Sequence, residues 1–125
     1  MVGFGKHDRE LDAAIKELAK ADTLAFGGVG FAGQILPATE AYHRVVQALH
    51  EHPEQARKKV DWLLGHGSPA GVAYAAALLD TVDRAAGQAA WERLRQDERE
   101  FTTFSGCLMG RATLREYATE RLTGD

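Results

Sequence analysis

The run Val72-Ala73-Tyr74-Ala75-Ala76-Ala77-Leu78-Leu79 is apolar all round, and it constrains the fold more than any other feature. A helix of this composition has no face for water, so other elements must surround it. Its start is written just before it, in Gly67-Ser68-Pro69. Serine can accept an orphan first-turn amide, and proline tolerates the next position because its missing amide would have been unpaired anyway. The run therefore predicts a central helix, with shorter amphipathic helices around it.

Those helices are legible as stripes at helical spacing. Leu11, Ile15 and Leu18 mark the first, with Asp8 as its expected N-cap. Tyr42, Val45, Val46 and Leu49 mark the second, starting at Pro37 or Thr39. The third opens at Pro53, carries Ala56, Val60, Leu63 and Leu64, and is expected to close at Gly65 in a left-handed cap. After the central helix, Asp80 to Asp83 reads as a short break, with Asp83 capping a fifth helix bearing Ala86, Ala90, Trp91 and Leu94. Thr113-Leu114-Arg115-Glu116 has capping-box spacing and announces a sixth. The third, fourth and fifth helices start roughly fifteen residues apart, so short connections make them antiparallel neighbours. Thr23 to Leu36 reads as a non-helical, glycine-rich stretch with room for a short strand at Thr23 to Phe26, and Arg99 to Gly110 as room for a short extended piece.

At 125 residues, 45% hydrophobic and 26% charged, the chain fits a single helical domain over 1–125 with an ordinary core. The predicted class is all-α, about six antiparallel helices, as a compact bundle or a short superhelix. The glycine-serine-proline turn and the alanine- and leucine-rich helix after it resemble HEAT-like α-helical repeats over about residues 53–96. That resemblance implies a scaffold for binding other macromolecules and carries over no catalytic residue.

Composition and motifs exclude more than they assign. A net charge of −3 gives no basic footprint for nucleic acid. The N-terminus has no apolar signal core, Val2 is not the glycine that myristoylation needs, and the 72–79 run is too short for a bilayer. A cytoplasmic, membrane-free protein is expected, and the alanine and arginine bias suggests a bacterial genome. One cysteine makes neither an internal disulfide nor a cysteine-rich metal site.

Gly28-Val29-Gly30-Phe31-Ala32-Gly33 matches the G-x-G-x-x-G string. Pro37 interrupts the long helix that a dinucleotide site needs after it, so a glycine-rich loop is the simpler reading. His43 and His50 lie about 10.5 Å apart along a helix axis, too far for one ion. No cofactor and no metal are expected. Cys107 has no local activating base, and a buried inert thiol is the commoner case. Asp97, Glu98 and Glu100 beside Arg95 and Arg99 read as a solvated ion-paired face. Trp62 lies about 140° around its helix from the Val60/Leu63 direction. It belongs either to a second packed layer or to a binding surface.

The function expected from these observations is a small, non-enzymatic module that binds another protein, of the immunity or adaptor kind. Phe26, Phe31 and Trp62 are its candidate contact residues. The alternative is a small-molecule or nucleotide binder, or an enzyme, built on the Gly28–Gly33 loop and Cys107.

Overall fold

The computed structural model describes residues 4–28, 35–105 and 108–124. Phe31, most of the Gly28–Gly33 loop and Cys107 lie outside the described residues. The elements are α1 (Phe4–Ala19), β1 (Thr23–Leu24), α2 (Pro37–Glu51), α3 (Pro53–His66), α4 (Pro69–Val82), α5 (Arg84–Leu94), β2 (Glu100–Ser105), β3 (Leu108–Thr113) and α6 (Leu114–Thr123).

The apolar run is the centre of the molecule. Every residue from Ala70 to Leu79 is buried, and α4 contacts α1, α2, α3, α5, β1 and β2. Its N-terminus is held as the sequence predicts. Ser68 Oγ accepts from the Gly71 amide at 3.1 Å, with Pro69 in the first turn. Ser68 also ties α4 to the end of α1: its amide donates to the Ala19 carbonyl at 2.8 Å and its hydroxyl to the Ala21 carbonyl. Gly71 is there for space, because a Cβ would sit 2.3 Å from the Leu18 carbonyl oxygen.

Three helix boundaries differ from expectation. α1 starts at Phe4, so Asp8 lies inside the helix and not at its cap. α3 runs past Gly65 to His66 and ends at Gly67 in extended backbone. The Gly67 amide still closes the last turn on the Leu63 carbonyl, at 2.8 Å. The chain then enters the Ser68 cap directly, with no left-handed residue. α4 continues through Asp80 to Val82, so the expected break narrows to Asp83 alone, and Asp80 instead meets tertiary partners that a local reading cannot see. Asp83 and the Thr113–Glu116 capping box behave as predicted.

The larger correction concerns class. The molecule is mostly helical, but it carries a three-stranded sheet in the order β1-β2-β3. β2 and β3 form an antiparallel hairpin from Glu100↔Thr113 to Ser105↔Leu108. β1 runs parallel to β2, with Thr23 opposite Thr102 and Leu24 opposite Thr103. Of the ion pairs expected among Asp97, Glu98, Glu100, Arg95 and Arg99, Arg99–Asp97 forms, while Glu98 and Glu100 pair with arginines further along the chain and Arg95 pairs with Glu92. Arg99 meets Asp97 at 2.8 Å, Arg115 meets Glu98 at 2.8 Å and Arg111 meets Glu100 at 3.0 Å. The hydrogen bond from Arg99, more than burial opposes it, holds the Asp97 carboxyl below its ordinary pKa.

A buried hydroxyl anchors the segment after β1. Tyr74 OH donates to the Ala25 carbonyl at 2.7 Å and accepts from the Ala25 amide at 2.9 Å, while Thr39 Oγ1 donates to the same carbonyl at 2.7 Å. Tyr74→Phe leaves that buried amide without its acceptor. It should cost about 1–3 kcal/mol, the usual penalty for a buried group left unsatisfied, and urea denaturation will measure it. A cost near zero would mean that water reaches Ala25.

Candidate functional site

Three helices converge on one carboxylate. Asp80, near the end of α4, accepts with the same oxygen from Trp91 Nε1 of α5 at 2.8 Å and from Arg121 Nη2 of α6 at 2.9 Å. The Arg121 guanidinium lies over the Trp91 ring, 4.9 Å from its centroid. Such a stack is favourable because the ring face carries negative charge. Trp91 is buried, whereas the Asp80 and Arg121 side chains are 31% and 35% exposed, so the cation sits on a dry floor with one side open. Gly87 lets α5 approach this closely: a Cβ there would lie 1.9 Å from Asp80 Oδ1.

Aromatic rings extend the site. Tyr117, one turn before Arg121, packs 5.6 Å from Trp91 and 5.6 Å from Phe101. Phe26 meets Tyr42 edge-on at 5.0 Å and Tyr74 at 5.6 Å. Burial raises the pKa of Tyr42 and Tyr117 above the ordinary phenol value, so both stay protonated and able to donate at neutral pH. For Arg121, burial acts to lower the pKa, but the Asp80 hydrogen bond and Tyr117 outweigh it, and the net direction is up. The guanidinium stays charged.

Around these side chains lie three adjoining hollows. One of about 650 Å³ is lined by Asp80, Arg84, Gln88, Trp91 and Arg121. A smaller one, about 280 Å³, is bounded by Phe26, Tyr42, Ala77, Thr81 and the same Asp80 and Arg121. The third, about 650 Å³, reaches the sheet between Phe26, Tyr117, Phe104 and Arg111. Asp80 and Arg121 wall the first two hollows and Phe26 the second and third, so the three adjoin as a divided groove around Arg121 and Phe26. Its walls offer a guanidinium held by Asp80, phenol hydroxyls, aromatic rings and carboxylates. Among the described residues no histidine or cysteine lines it, and no three His, Cys, Asp or Glu side chains converge to hold a metal ion.

Of the residues singled out in the sequence, Phe26 lines this groove. Trp62 does not. It is 47% exposed on α3, stacked at 4.8 Å on His66, so the second packed layer considered for it is not what the structure shows. Arg121, Asp80, Trp91, Tyr42 and Tyr117 were not singled out as site residues. The available signal was slight: aromatics on the helix stripes, and an acid directly after the apolar run.

No family model matches the chain, and neither curated proteins nor solved structures give a match.

Proposed function

We propose that this chain is a small, non-enzymatic protein-binding module of the bacterial cytoplasm, immunity- or adaptor-like in kind, and that it engages its partner through the groove around Arg121. One observation carries the reading: Phe26, Tyr42 and Arg121, each partly buried, line one hollow, and Phe26 and Tyr117 line the adjoining one. Aromatic and arginine side chains with part of their area already desolvated are the types that dominate binding energy at protein interfaces. Asp80 and Trp91 fix the guanidinium before any partner arrives, which lowers the entropy cost of using it. The HEAT-like resemblance over 53–96 points the same way. Among the described residues no helix is long and apolar enough to cross a membrane, which leaves the cytoplasmic reading open.

The experiment compares Phe26→Ala with Trp62→Ala once a partner has been captured, scoring affinity per folded molecule. The groove reading expects Phe26→Ala to weaken binding tenfold or more, on the order of 1.4 kcal/mol, and Trp62→Ala to leave it unchanged. The opposite pattern moves the interface to α3 and rejects the groove.

A further inference from the structure

The hairpin presents an unguarded sheet edge. Among the described residues no strand pairs with the outer side of β3. The Leu114 amide donates to the Arg99 carbonyl at 2.9 Å, one step beyond the ladder, and this fixes the alternation. The backbone groups of 108, 110 and 112 face β2, and those of 109, 111 and 113 face outward. Glu116 already occupies the Thr113 amide, at 2.9 Å. The Met109 and Arg111 amides and carbonyls are left on the open edge.

Natural edges are usually protected by proline, bulges, covering elements or outward charge. β3 has no proline, and its ladder with β2 runs in unbroken register. Its single charge does not guard it, since Arg111 reaches back to Glu100 at 3.0 Å and Thr102 at 3.1 Å on β2. Leu108 and Met109 stand 77% and 69% exposed, the most exposed large apolar side chains among the described residues.

We propose that β3 pairs antiparallel with β3 of a second copy of this chain, about a two-fold axis at Gly110, to give a continuous six-stranded sheet. The strand is complementary to itself in this register. Met109 faces the other copy's Arg111 and Arg111 its Met109, so each pair can exchange both backbone hydrogen bonds. Leu108 lies beside the other copy's Ala112, on one face of the sheet. Gly110 meets Gly110 at the axis, where strands come closest and a missing side chain eases the approach. Centring the pair on Arg111 would set two guanidiniums directly opposite, which is destabilising. Centring it on Met109 would pair only residues 108–110 within the strand. A second copy thus fits this edge in one register, the one centred on Gly110.

Light scattering across a concentration series is the test. The mass should rise from 13.6 kDa toward twice that value, and Arg111→Pro, which deletes an outward amide not used within the chain, should stay monomeric with an unchanged circular dichroism spectrum. Gly110→Cys in a Cys107→Ser background should form a disulfide-linked dimer under mild oxidation, since residues opposed at such a pair lie about 4.5 Å apart at Cα. Arg111→Cys in the same background should not. A constant monomer mass for the unaltered chain would overturn the proposal, as would a dimer that survives Arg111→Pro. Should Arg111→Pro fail to fold, the cysteine pair decides, and cross-linking through 111 instead of 110 would reject the register.

Discussion

Gly87→Val should destabilise the protein by roughly 3 kcal/mol, at the upper end of the range for overpacking. The first atom of any side chain there would meet Asp80 Oδ1 at 1.9 Å and Asp80 Cα at 2.8 Å. Neither can yield cheaply. The carboxylate is held by Trp91 and Arg121, and the Cα belongs to the central helix. Moving α5 away would also pull Trp91 from Asp80, so loss of the tryptophan's native fluorescence should accompany the loss of stability. Gly65→Ala is the matched control. That glycine also lies inside a helix, but a Cβ there meets nothing within 4 Å. It should gain up to about 1 kcal/mol from helix propensity and reduced chain entropy. Equal costs at the two positions would show that close approach of α4 and α5 is not what Gly87 provides.

Leu79→Ala should cost about 2–5 kcal/mol, the range for deleting a large buried aliphatic side chain. Leu79 is 2% exposed and stands on the helix that the rest of the fold surrounds. A domain of this size has a total stability of roughly 5–15 kcal/mol, so the variant should show a sharply lower urea midpoint. A loss below about 1 kcal/mol would make α4 peripheral.

What the sequence made legible is what short-range chemistry determines. The Ser68 cap, the Asp83 cap, the Thr113–Glu116 box and the burial of 72–79 each depend on residues within one or two turns. The errors at Asp80, at the sheet and at the groove share one cause, a partner far along the chain. Asp80 looks like a helix breaker until Trp91 and Arg121 are placed beside it. β1 falls where the sequence leaves room for a short strand, but its parallel pairing with β2, some eighty residues away, is not legible locally. The threonines and phenylalanines of β2 do favour strands, yet with glycine and serine around them they suggest only a short extended piece, and the class reads as all-α. The groove was hidden for the same reason. Arg121 sits among matched acids and reads as a surface residue, whereas its position over Trp91 exists only once α5 and α6 are packed. Phe26 was legible because it interrupts a glycine-rich stretch, where an aromatic ring stands out from its neighbours.

The central claim, that the partner seats in the groove around Arg121, is tested most directly by photo-cross-linking in cells that naturally make this chain. A photoreactive phenylalanine analogue placed at Phe26 keeps the ring that lines the groove. The same analogue at Trp62 samples the exposed face of α3, and at Lys20, whose side chain is 74% exposed, it samples the surface at the end of α1. The account predicts one discrete protein adduct from position 26, lost when excess unlabelled chain competes, and none from positions 62 and 20. A discrete adduct from position 62 with none from position 26 would contradict it.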